Sequence, residues 1–215
     1  MHAGCASPPR RCGGGARRPG RAGEGDRRAG LRFLTGDHDL TLHIPIVDSA
    51  AGAGPFTHET AVLLCVKSQH TPPALGQLKA AGAGPTTSVV CGQNSIWNEP
   101  TAGRVFHHVN GMSTLIRATF LRPGLVLNPM SGTCGFIEIG RFLSGVDALD
   151  ESLAEDFGRA GFAATTHSDV MLPKVASGFC AVRWEGPSIL GHGDAGMPGV
   201  MRSARAAKLS VLTNP

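Results

Sequence analysis

The sequence predicts an α/β fold built on a parallel sheet, and three observations point there. Ala61–Val66 (AVLLCV) is apolar on both strand parities, as a strand covered on both faces must be. A helical pattern from Ala74 to Ala81 and a second apolar strand, Thr87–Cys91, follow it and complete a strand–helix–strand unit. A capped amphipathic helix over Asp147–Gly161 then leads into another strand, Ala163–Thr166.

The elements follow in order from the amino terminus. Residues 1–28 hold no Leu, Ile, Val, Phe or Trp, so they bury nothing to offset ordering entropy and are expected to be a disordered Arg/Gly-rich tail, ending at residue 29. Leu31–Leu34 and Leu40–Val47 read as strands joined by a turn at Gly36–Asp39, the second alternating at Leu40, Leu42, Ile44 and Ile46. Beyond the strand–helix–strand unit come strand-like segments at Val105–Val109, Leu115–Phe120, Leu125–Leu127 and Phe136–Ile139. In the helix that follows, Asp147 is the cap, Leu149, Leu153 and Phe157 share a face, and Gly161 ends it. Asp169 and Pro173 mark a further helix start, with Pro173 expected at the first helical position. Val200–Leu212 reads as a short basic amphipathic helix. One domain is expected over 30–169, with 170–215 forming a separate carboxyl-terminal piece.

Several function classes are excluded. The formal charge of +4 divides into +5 over residues 1–28, from seven Arg against Glu24 and Asp26, and −1 over the remainder. A body without a basic cluster or interleaved aromatics argues against nucleic acid as partner. The longest apolar run has six residues, Ala61–Val66, against about 20 for a membrane helix, so no membrane association is expected. No apolar segment of signal-peptide type follows Met1, and the six cysteines form no C-x-x-C pair. Reduced thiols of a cytoplasmic protein, and no metal centre, are the expectation. His107 and His108, neighbours on an expected strand, would point to opposite faces and share no metal.

The chemistry-bearing positions lie elsewhere. A G-x-G-x-x-G at Gly191–Gly196 has no buried strand before it and no helix after it, so it reads as chance in a chain of 30 glycines. More informative is Lys67, just past the first buried strand, and Asn94, just past the second. Open α/β sheets bind ligands at the carboxyl ends of their strands. A cation and an amide there suit an anionic or hydroxylated ligand such as a ribose, a phosphate or a keto acid. The alternative is that both are solvated loop residues.

VLLCVKSQHTPPAL, VVCGQNSIWNE, ATFLRPGLV, IEIGR, an AGF helix end and DVMLPK follow one another over about residues 30–176. In that order they resemble ketopantoate reductases, the NADPH-dependent 2-dehydropantoate 2-reductases. The resemblance implies a Rossmann-type dinucleotide-binding domain and an all-helical carboxyl-terminal domain with the active site between them. This chain would carry a partial Rossmann-type domain and only the start of the helical one. The implied activity is reduction of a small 2-keto acid, ketopantoate to pantoate in pantothenate biosynthesis, with NADPH as cofactor. By the same resemblance Lys67 and Asn94 contact cofactor and substrate, and Lys174 is the proton-donating lysine. The family's opening glycine turn has no counterpart here, and Arg17 and Arg18 fall near its arginine for the 2′-phosphate. Gly178 stands where the family has an asparagine, so Lys174 is expected to be poorly supported. These departures point to a fragment or a reading-frame change, and to an alternative function as an inactive nucleotide- or protein-binding module.

Overall fold

The computed structural model describes residues 30–47, 49–183 and 208–212. The strands are β1 (Leu31–Thr35), β2 (Asp39–Leu42), β3 (Thr60–Leu64), β4 (Ser88–Cys91), β5 (Val109–Leu115), β6 (Thr119–Arg122), β7 (Leu125–Asn128), β8 (Phe136–Arg141), β9 (Ala163–Thr166) and β10 (Lys208–Leu212). The helices are α1 (Ala50–Ala53), α2 (Thr71–Ala80), α3 (Asn98–Ala102), α4 (Ala148–Arg159) and α5 (Met171–Arg183). They form a mixed α/β fold of Rossmann type.

The main sheet has the order β10-β3-β4-β5-β8-β9. Its first four strands are parallel, β8 runs antiparallel to β5, and β9 pairs parallel with β8. Both faces are covered, which explains why β3 is buried at every residue. Val62, Leu64, Val89, Cys91 and Val109 pack on one face against Leu75 and Leu78 of α2 and against Phe106. Leu63, Val90, Met112, Ile137 and Ile139 pack on the other against Leu153 and Phe157 of α4. Phe157 and Phe162 meet edge to face at 5.8 Å, a geometry worth about 0.5–1.5 kcal/mol beyond area burial.

Sequence and structure agree closely at α4. Asp147 accepts the Leu149 and Asp150 backbone N–H groups, the Asp150 side chain accepts from Asp147 N in return, and Gly161 ends the helix at φ +92. α2 begins three residues before the apolar pattern, because Pro72 and Pro73 fit a first turn whose N–H groups need no intrahelical acceptor.

Elsewhere the expected boundaries move. β2 stops at Leu42, three residues before Pro45, which would interrupt a ladder of N–H donors. β1, β2, β6 and β7 leave the main sheet and form a separate four-stranded one, in the order β2-β1-β7-β6. Val105–His108 are not a strand: Phe106 N–H closes a turn onto Ala102 O and its ring turns into the core. His107 and His108 are therefore exposed residues leading into β5, not neighbours on a strand. α5 starts at Met171, which makes Pro173 its third residue rather than its first. The Asp169 backbone carbonyl accepts Leu172 N–H there. The helix expected over Val200–Leu212 is corrected at its end: Lys208–Leu212 is β10, in register with Thr60–Leu64 on the edge of the main sheet. Backbone pairing to an open parallel edge outweighs a weak helical pattern. Gly191–Gly196 and residues 1–29 lie outside the described residues.

Candidate functional site

Parallel register places Leu64 beside Cys91, so the chain beyond each strand leaves on the same edge. Lys67 and Asn94 both follow by three residues, which brings them to the carboxyl edge of the sheet. Lys67 is half-buried and precedes a single helical turn at Ser68–His70, where its carbonyl accepts His70 N–H. Asn94 is exposed, and its Oδ1 accepts from Thr114 Oγ1 at 2.9 Å, at the end of β5.

Lys174 reaches the same region from beneath. It is fully buried, and its Nζ donates to Gln93 O at 2.6 Å, Met112 O at 3.1 Å and Cys91 O at 3.3 Å. Glu99 Oε1 lies 2.6 Å from the same nitrogen, with both side chains at 0% exposure. The expectation of a poorly supported lysine is thus overturned: the carbonyls of Cys91, Gln93 and Met112 and the carboxylate of Glu99 hold its end. Of the three carbonyl bonds, those to Cys91 and Met112 are buried. The bond to Gln93 O is the shortest of the three and the one whose partner residue is only half-buried, so it joins the wholly buried ammonium to the Gln93–Asn94 turn.

Two glycines allow this approach. Gly111 and Gly140 pair across β5 and β8 on the face where α5 begins. A Cβ on Gly111 would meet Val170 Cγ1 at 2.9 Å and Lys174 Cδ at 3.6 Å. Without side chains at this pair, Val170 seats against the sheet and the lysine passes under β4 and β5.

Glu99 was not a candidate from the sequence. It stands in a short polar stretch that composition reads as loop, although it is the one acidic residue between Glu59 and Glu138. That isolation among five basic residues, Lys67, Lys79, Arg104, Arg117 and Arg122, was the available signal. Burial pushes its carboxyl above the usual range, and the Lys174 ammonium opposes that rise. Nearby, burial pushes the Cys65 thiol up to about 12 and raises Cys91 as well. Both therefore stay protonated and unreactive. Among the described residues no group of His, Cys, Asp or Glu could hold a metal ion, and no helix is long and apolar enough to cross a membrane.

A doubly covered sheet whose parallel strands deliver a cation and an amide to their carboxyl edge defines a Rossmann-type α/β protein. The sequence model of the ketopantoate reductase PanE/ApbA family matches residues 16–142, and the chain belongs to that family. The match begins inside the segment that composition reads as a tail. No curated protein matches the chain. Among solved structures, 2-dehydropantoate 2-reductase from Geobacter metallireducens GS-15 is similar at TM-score 0.63 and 24% identity, covering 72% of this chain and 50% of that one. The enzyme of the same name from Methylococcus capsulatus is similar at 0.56 and 21%, covering 72% and 46%. D-mandelate dehydrogenase, in a ternary structure with NADH and anilino(oxo)acetate, is similar at 0.61 and 18%, covering 73% and 49%. At these identities the likeness is one of fold. The chain spans about half the length of each.

Proposed function

We propose that the chain carries the NADPH-dependent reduction of a small 2-keto acid, with 2-dehydropantoate (ketopantoate) as substrate and pantoate as product. Family membership supports the reaction class. The observation that carries the reading is the Lys174 ammonium, held against the Gln93–Asn94 turn at the carboxyl edge of the sheet. The donor set there fits a nicotinamide dinucleotide: the Lys67 ammonium suits a phosphate or carboxylate, and the Asn94 amide suits a hydroxyl or carboxamide. When bound, that cofactor supplies the hydride for the keto carbon.

The chain's own residues do the rest. Asn94, fixed through Thr114, orients the ligand at the edge. Lys174 stabilises the negative charge that develops on the keto oxygen and gives it a proton. For this its terminal torsions exchange the bonds to Gln93 O and to the more distant Cys91 O for one to the substrate, while the Met112 and Glu99 oxygens keep the amine in place. The test is NADPH absorbance with ketopantoate, on the chain and on Lys174→Met. Consumption that depends on the keto acid and falls at least about 100-fold in the variant agrees with a proton donor. Consumption that the substitution leaves unchanged overturns that role.

A second reading is favoured by the full burial of Lys174. It is a non-catalytic nucleotide-binding module. Saturable NADPH binding without keto-acid reduction would select it.

A further inference from the structure

The Glu99–Lys174 pair is unusual for its depth. Both side chains are wholly buried, and an apolar pair of similar volume is often as stable at such a place. Stability alone therefore does not explain the carboxylate. Its second oxygen, Oε2, is also buried and meets no donor among the described residues. Among the described residues Lys174 is its charged partner, beside a hydrogen bond from its own backbone.

The structure around Glu99 holds it for that partner. Asn98, the preceding residue, accepts from Thr71 Oγ1 at 2.8 Å and donates to Ser68 Oγ and Ser95 O, both at 3.3 Å. Gln93 Nε2 joins the same network through Thr71 Oγ1 at 3.2 Å. These bonds tie α3 to the start of α2 and to the β4 turn, so Glu99 enters the interior from a fixed base. Gly111 borders it, with the position of a Cβ there 3.4 Å from Glu99 Oε1. The other titratable group coupled to the pair is the Cys91 thiol, itself beside Cys65, and burial keeps both thiols neutral at ordinary pH.

We propose that Glu99 is the positioning residue of the Lys174 ammonium. Its carboxylate, 2.6 Å from that amine, holds it in place and aims it at the Gln93–Asn94 turn, where the keto oxygen is read to lie. The role rests on the proton-donor reading of Lys174, and the experiment separates the two. The Glu99 side-chain carboxyl is followed by NMR against pH in the intact chain and in Lys174→Met. Loss of the opposing charge should raise its titration midpoint by about one to three pH units. An unmoved midpoint overturns the pairing whether or not the chain is a reductase. Should Lys174→Met fail to fold, NMR of the lysine side-chain amines in Glu99→Gln decides: the Lys174 midpoint should fall relative to the intact chain while those of Lys67 and Lys79 stay, and an unmoved Lys174 midpoint overturns the proposal. In an active preparation Glu99→Gln should lower kcat at least about tenfold with KM for NADPH unchanged, and Glu99→Asp should recover part of it. A KM effect alone would assign Glu99 to cofactor binding and overturn the positioning role. A chain without reductase activity would remove the proton-donor reading and leave the titration to judge the pair.

Discussion

Gly111→Ala tests how α5 is seated on the sheet. The new Cβ would lie 2.9 Å from Val170 Cγ1, about 0.6 Å inside an ordinary carbon–carbon contact of ~3.5 Å. Val170 is fully buried and immediately precedes α5, so it has little space to retreat and its shift would carry Lys174 with it. Overpacking of this kind costs about 1–3 kcal/mol, from a total stability on the order of 5–15 kcal/mol. Val170→Ala removes the obstructing Cγ1 at the cost of its own cavity. In that background Gly111→Ala should lose less than half as much, a coupling on the order of 1 kcal/mol. Urea denaturation of the four proteins, followed by circular dichroism, measures it. Gly140→Ala is the control: its Cβ would fall onto the backbone carbonyl of His167, which cannot rotate aside, so the larger loss should not be rescued by Val170→Ala. Equal costs of Gly111→Ala in both backgrounds would refute the idea that Val170 sets the approach.

Asp150 should make stability fall as pH rises. Burial, chiefly, raises its carboxyl from 3.8 to about 6, so between those values the folded protein keeps a proton that the unfolded chain has lost. The contribution is fully present below about pH 4, and its loss across the window is at most about 3 kcal/mol. Asp150→Asn, which can still bond Asn110 after an amide flip, should flatten that part of the stability profile; identical slopes would argue against the assignment. Leu143, 78% exposed at φ +83, sits in the left-handed region that costs an L-residue roughly 1–2 kcal/mol. Leu143→Gly should raise stability by about 0.5–1 kcal/mol after the glycine's own entropy loss, and a lower urea midpoint would contradict this. Deleting residues 208–215 should bare the outer edge of β3 and promote self-association visible in sedimentation, because unpaired apolar edges recruit other chains. Unchanged sedimentation would show that β10 is not what covers that edge.

What the sequence disclosed depends on how local each signal is. The α4 cap and the β3-α2-β4 unit are written in contiguous residues, and they were legible together with the edge that Lys67 and Asn94 share. The split into two sheets was not, since β1 finds its parallel partner β7 some ninety residues later. Nor was the true course of 208–212, where pairing with β3 decides the conformation. Lys174 was read as a site residue through resemblance, but its burial was not foreseen. The four oxygens that hold it come from β4, its following turn, β5 and α3, and only the folded chain assembles them. Glu99 escaped for the same reason, being a partner defined by a contact 75 positions away in sequence.

The carboxyl edge carrying Lys67 and Asn94 is proposed above as a nicotinamide dinucleotide site. NADPH fluorescence titration of the chain beside Lys67→Ala and Asn94→Ala tests it most directly. Saturable binding is predicted, weakened at least about tenfold by Lys67→Ala, as expected for loss of a charge-assisted hydrogen bond. Asn94→Ala should weaken it by a smaller factor. Absence of binding, or an affinity that neither substitution changes, would contradict the account.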